Sequence, residues 1–289
     1  MSKILVTGSN GQLGNEMRVI SGRYPQHEFV FTDVAELDIC SRDAVRMFVE
    51  RERPDYIVNC AAYTAVTKAE TDIEKSYSIN CEAVKTLAIA ASENEAKVIH
   101  ISTDYVFAGD ACQPYTEDQR VNPQSVYGKT KYEGEVALST TTKDYVILRT
   151  SWLYSSFGNN FVKTMIRLGK ERERLTVVFD QVGDPTYAAD LAEAVMTVVN
   201  AKQFVSGTYH FSNEGVCSWY DFTKAIHRLY GVNGCKVEPL ESKDYPDKTP
   251  RPFYSVLNKS KFKQTYGMNI PYWYDSLEKC IELLKAKGE

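Results

Sequence analysis

The run Lys3-Ile4-Leu5-Val6-Thr7 passes without a break into Gly8-Ser9-Asn10-Gly11-Gln12-Leu13-Gly14, and this junction constrains the fold more than any other stretch of the 289-residue chain. The first part is a short, almost wholly apolar run, the pattern of a strand covered on both faces. The spacing Gly8-x-x-Gly11-x-x-Gly14 then predicts a tight turn opening a helix over 12–21. Glycines at such a turn let backbone approach a pyrophosphate, whose charge the helix N-terminus stabilises. A chain with this junction is committed to a strand–turn–helix unit.

The alternation continues. Strands are predicted over 3–7, 28–32, 55–60, 97–102 and 144–149, with helices over 12–21, 41–51, 73–94 and 125–141. Such alternation reads as an α/β protein with a parallel sheet. Beyond residue 150 it loosens, while aromatics, prolines and glycines become more frequent. Helices are predicted there over 160–169, 187–201, 218–230 and 272–287, separated by loops such as 240–254. The expected organisation is a cofactor scaffold over 1–150 and a smaller mixed substrate-binding region over 151–289, with some later segments returning to the first domain.

A net charge of -4 and a pI near 5.7 argue against a nucleic-acid partner, which would need a basic stripe. No apolar stretch approaches a membrane span, and the run entering the glycine turn is too short for a signal peptide. Seven cysteines without CxxC or Cys/His spacing point to reduced thiols and a cytoplasmic location. Asp104, Glu117 and Asp118 read as surface-loop acids, the four histidines form no motif, and no metal site is predicted.

The candidate cofactor residues are Gly8, Asn10, Gly11, Gln12, Leu13 and Gly14, followed by Asp33 at the end of the second strand. An acidic side chain at that point accepts hydrogen bonds from adenosine ribose hydroxyls. This favours NADH and leaves NADPH open, provided that a cation such as Arg18 or Arg23 offsets the carboxylate. Asp38 and Ile39 either flank an adenine or serve packing alone. Ala61, Ala62 and Tyr63 follow the third strand, where small residues bring backbone close to a ligand. Tyr127 and Lys131 stand four residues apart, on one face of a helix, and Thr103 lies 24 residues before the tyrosine. An ammonium beside a phenol favours phenolate, which lets the tyrosine exchange a proton near neutrality, while the threonine hydroxyl holds a substrate oxygen. No GxSxG elbow supports hydrolytic chemistry.

With these segments in view, the chain resembles the extended short-chain dehydrogenase/reductase superfamily, whose fold is a Rossmann-like doubly wound parallel sheet. Within it, the chain is similar to the dTDP-4-dehydrorhamnose reductase family over nearly its whole length. The resemblance rests on Gly8–Gly14, Glu36–Ile39, Asn59–Val66, Ser102–Phe107, Tyr127–Lys131, Arg149–Tyr154, Asp180–Thr186 and Arg251-Pro252 with Ser255. It implies NADH- or NADPH-dependent reduction of the 4-keto group of a dTDP-linked deoxysugar, dTDP-4-dehydro-L-rhamnose. By the same resemblance Tyr127 delivers the proton, Lys131 binds the nicotinamide ribose and lowers the phenol pKa, and Thr103 holds the reacting oxygen. Asp104, Tyr105 and Trp152 would line the sugar pocket, with Asn160 and Arg251 toward the nucleotide; Trp152 as core and Arg251 as a loop pin remain the alternatives. Cys60 and Tyr254 depart from the family pattern. Some relatives hold magnesium between subunits, with Glu16 matching one ligand, and a homodimer is compatible with the resemblance. A reductase or epimerase of another nucleotide-sugar, or a non-catalytic dinucleotide-binding regulatory subunit, would carry many of the same segments.

Overall fold

The computed structural model describes residues 1–288. In chain order the first half runs β1 (Lys3–Thr7), α1 (Gln12–Ser21), β2 (Glu28–Phe31), α2 (Arg42–Glu52), β3 (Tyr56–Asn59), α3 (Val66–Ala69), α4 (Ile73–Tyr77), α5 (Ala83–Glu93), β4 (Lys97–Thr103), α6 (Val126–Thr141) and β5 (Tyr145–Thr150). The second half continues with β6 (Leu153–Tyr154), α7 (Phe161–Glu171), β7 (Arg174–Val178), β8 (Val182–Gly183), β9 (Thr186–Tyr187), α8 (Ala188–Val199) and β10 (Gly207–His210). It ends with β11 (Cys217–Ser218), α9 (Trp219–Tyr230), β12 (Lys236–Leu240), α10 (Ser260–Tyr266) and α11 (Trp273–Ala286).

One six-stranded sheet, ordered β10-β5-β4-β3-β1-β2 and parallel throughout, organises the molecule. Its strands alternate sides as a pleat requires. Ile4 and Val6 face one core with Leu13 and Met17 of α1, Leu191 and Val195 of α8, and Phe262 of α10. Leu5 faces the opposite core with Val45 and Val49 of α2, Leu87 of α5 and Leu138 of α6. Both faces are therefore covered, which is why these strands read as unbroken apolar runs. A third core, built around Phe222, Val162, Leu175, Ile226 and Leu277, belongs wholly to the second half. The α/β class and the parallel Rossmann-like sheet thus match the sequence expectation.

Besides the short strands β6 to β9, β11 and β12 and the helices α3 and α10, none of which the pattern predicts, two differences concern the central sheet and its helices. The sheet has a sixth strand, β10, that the pattern does not predict, because four residues of mixed polarity carry no measurable period. The helix predicted over 73–94 is interrupted by a π-helical turn over Ser78–Glu82. There Asn80 turns its amide onto the backbone of Tyr63, accepting from its N–H and donating to its carbonyl. A single π turn of this kind leaves the apolar periodicity on either side intact, so it is silent in sequence.

β1 and β3 flank the point at which strand order reverses, and the crevice at their carboxyl ends is where open α/β sheets bind ligands. Thr7 and Asn59 end these strands in register and hydrogen-bond through their side chains at 2.7 Å.

Candidate active site

Two stretches of cleft share Gly11, Cys60 and Ala62 and run as one groove over the carboxyl edge of the sheet. The first is lined by Gly8, Asn10, Gly11, Asp33, Asp38, Ile39, Ala61 and Ala62, all named from the sequence. Gly8 sits at φ +63°, and a Cβ there would lie 2.6 Å from the Ala61 backbone. Any side chain at position 8 would thus collide with the neighbouring loop. A Cβ on Gly14 would fall 2.4 Å from Ser9, so the helix can start this close to β1 only with glycine. Gly11 is the N-cap of α1 and supplies no side-chain acceptor, which leaves the first amides of the helix available to an anion. This bare, amide-lined turn fits a dinucleotide pyrophosphate.

Asp33 is not a free carboxylate. It accepts from the backbone N–H of Asn10 at 2.9 Å and of Val34 at 2.8 Å, tying the second strand's end to the glycine turn. Of the two cations considered from sequence, Arg18 belongs to this turn, donating to Ser9 Oγ at 2.7 Å and lying over the Phe31 ring. Arg23 instead pairs with Glu193.

The second stretch, about 540 Å³, is where the reacting groups converge. Ser125 caps α6 by accepting from Gly128 N–H, and Glu70 accepts from Val126 N–H, so the first turn of the helix is fixed on both sides. Tyr127 and Lys131 then face the cleft one turn apart, beside Thr103 and Asp104 at the end of β4. Thr103 donates to Asp104 Oδ1 at 2.9 Å and accepts from Tyr105 N–H. Tyr105 meets Tyr127 edge to face at 5.4 Å. Gln12, Leu13, Trp152 and Asn160 close the far wall.

The electrostatics differ from the expectation in one respect. Burial pushes the Tyr127 phenol above its ordinary range, and its hydrogen bond with Thr103 pulls back only in part. Lys131 does not offset this: its ammonium donates to the Ile101 carbonyl at 2.6 Å and lies 3.4 Å from His100 Nε2. Desolvation lowers the lysine itself to about 8. A phenol held protonated is the donor form of an acid. Asp104 is likewise no surface acid but is 3% exposed, and burial raises its carboxyl to about 7 against the pull of Thr103 and Ser255.

Other candidates fall at different distances from the groove. Asn160 caps α7 with its Oδ1 and donates from Nδ2 to Gln12 Oε1 at 3.0 Å, bridging the glycine turn and the far wall. The Tyr63 phenol turns away to Asp72 and its backbone is bonded to Asn80, so this predicted cofactor residue lines neither stretch of the groove. Arg251 stands beside the Tyr105 phenol and pairs with Asp247 at 2.9 Å, while Asp247 also accepts from Thr67 at 2.7 Å. Glu16 is buried against Ser155.

Two groups escaped sequence reasoning. His100 sits beneath Lys131 with Asn59 on its other ring nitrogen, and the lone histidine in a strand gave no sign of it. Trp219 stacks on Trp152. Among the described residues, no helix is long and apolar enough to cross a membrane.

The chain matches the family model described as RmlD substrate binding domain over residues 2–286. It is 39% identical to the dTDP-4-dehydrorhamnose reductase of Aggregatibacter actinomycetemcomitans, over 96% of this chain and 98% of that one. A crystal structure of a dTDP-4-dehydrorhamnose reductase from Clostridium acetobutylicum superposes with a TM-score of 0.94 at 46% identity, covering 98% of this chain and 99% of the other. The Bacillus anthracis dTDP-4-dehydrorhamnose reductase, solved in complex with NADP, also superposes at 0.94, with 38% identity and the same coverage.

Proposed function

Because the chain belongs to the RmlD substrate binding domain family, we propose that it reduces the 4-keto group of dTDP-4-dehydro-L-rhamnose, giving dTDP-L-rhamnose, at the expense of NADPH or NADH. The observation that carries this reading is the convergence of Tyr127, Lys131 and Thr103 on one wall of a cleft continuous with the glycine groove. Residues 1–150 would hold the dinucleotide, chiefly through Gly8, Gly11, Asp33, Asp38, Ala61 and Ala62, and the later half mainly the sugar. When bound, the dinucleotide supplies the hydride. The Thr103 hydroxyl turns from Asp104 Oδ1 to hold the ketone oxygen, and Tyr127 delivers its proton to that atom, completing the alcohol. Lys131, beside Tyr127 in the cleft, would hold the nicotinamide ribose and offset the charge left on the phenol. Asp104, Tyr105 and Trp152 shape the sugar pocket, and Asn160 and Arg251 lie toward the nucleotide, where a guanidinium suits a diphosphate. The tie between Asp33 and Asn10, with Arg18 fixed on Ser9 beside it, supports acceptance of either dinucleotide.

The test supplies the enzymatically made dTDP-4-keto sugar to the full chain and follows absorbance of the reduced nicotinamide. Stoichiometric oxidation is expected, and the same assay with NADH and NADPH ranks the two. No oxidation with either sinks the assignment, and turnover of the sugar without net oxidation replaces it with epimerisation.

A further inference from the structure

Trp152 forms part of the cleft wall, yet its backbone is in the left-handed region at φ +48°. Of the other described non-glycine residues with positive φ, Arg53 caps the end of α2 and Glu95 lies just past the cap of α5; Trp152 instead joins β5 to β6. A bulky residue persists in that region only where its surroundings over-determine it. Two neighbours do so. A Cβ on Gly183 would lie 2.7 Å from the Trp152 ring and 2.5 Å from Ser255 Oγ, so only a bare Cα leaves room for the indole. The Trp219 ring stacks on it with centroids 3.5 Å apart and planes 8° from parallel. Trp219 is in turn pinned: it is the first residue of α9, whose start is locked by the reciprocal Ser218–Asp221 cap, and Phe161 packs against it at 4.5 Å. Trp219 does not line the cleft; it backs the ring that does.

We propose that Trp219 is a positioning residue for the sugar pocket, holding the Trp152 indole as a rigid apolar wall against which a deoxysugar ring packs. The proposal rests on the reading that this cleft takes a dTDP-deoxysugar. A pyranose lacking a hydroxyl presents a largely C–H face, and a fixed aromatic plane binds such a face without stranding polar groups. Trp219 thereby sets affinity for the sugar moiety and leaves the nucleotide and the dinucleotide untouched.

Calorimetric titration of the full chain with dTDP-L-rhamnose, with dTDP alone and with NADPH tests this. Trp219→Ala is expected to weaken dTDP-L-rhamnose about tenfold, the scale of one lost aromatic stack, while dTDP and NADPH stay within about twofold. Trp219→Phe, which keeps a ring on Trp152 and guards against a folding defect, is expected to restore most of the affinity. In turnover, KM for the keto sugar rises and kcat at saturation holds. Unchanged dTDP-L-rhamnose binding by Trp219→Ala overturns the proposal, as does an equal loss for all three ligands. If the wild-type chain binds dTDP but gains nothing from the rhamnose, the substrate reading itself fails and takes the proposal with it.

Discussion

Burial raises the acid groups of both Tyr127 and Asp104, keeping the phenol protonated and moving the carboxyl to about 7, and at this scale each has its own consequence. For Tyr127, removing the hydroxyl removes the proposed proton donor but little volume. Tyr127→Phe is expected to lower kcat by about 10²–10⁴-fold, the usual worth of a positioned acid, with NADPH affinity nearly unchanged by titration. For Asp104, the unfolded chain loses the proton near 3.8 and the folded chain near 7. Between those values the folded state binds more protons, so the stability that the group contributes is full below about pH 4 and is lost as pH rises through about 7. Asp104→Asn removes this dependence. Thermal unfolding is expected to show the variant gaining on the wild type from pH 4 to pH 8, and a constant difference would refute it. The pairing of Tyr127 with Lys131 was legible because four residues are one turn on any helix. The direction of the phenol's pKa was not, because burial sets it, and the groups that bury the phenol come from distant parts of the chain.

Among the elements, α6 matters most to the site, since Tyr127 lies in its first turn. Ser125 holds that turn as the residue capping it, and Glu70, beyond the end of α3, holds it from a distant part of the chain. Loss of an N-cap costs about 1 kcal/mol. Ser125→Ala is therefore expected to lower the unfolding free energy by that amount, moving the denaturation midpoint down, and to lower kcat as well, because the phenol loses its fixed approach. An unchanged midpoint would mean that Glu70 suffices. Strands β1 to β5 and most helices were readable within a residue or two from apolar period and capping residues. β10 and the π turn were not: one is too short for a period, and the other is fixed by the Asn80 amide, 17 residues from its partner Tyr63.

Across the whole molecule, one buried cluster joins distant stretches of chain behind the cleft. Asp184, fully buried, accepts from Ser151 after β5, from Ser212 after β10 and from Lys259 before α10, the last at 2.8 Å. Breaking a buried ion pair leaves the remaining charge stranded and costs about 3–5 kcal/mol. Asp184→Asn is expected to lose stability on that scale in urea unfolding, far more than an exposed pair such as Arg167 with Glu171 would lose on Arg167→Ala. Nothing in the spacing of residues 151, 184, 212 and 259 announced this cluster.

The glycine turn, the parallel sheet and the Tyr/Lys pair were determined by the sequence itself, because each depends on contacts within a few residues or on a period that local chemistry imposes. The tertiary structure decided what lies against them: His100 under Lys131, Trp219 behind Trp152, Arg18 rather than Arg23 at the turn, and the buried state of Asp104. Burial and pairing join groups that are far apart in the chain, and the energies that set protonation and ring placement come from those long-range neighbours rather than from the residues beside them.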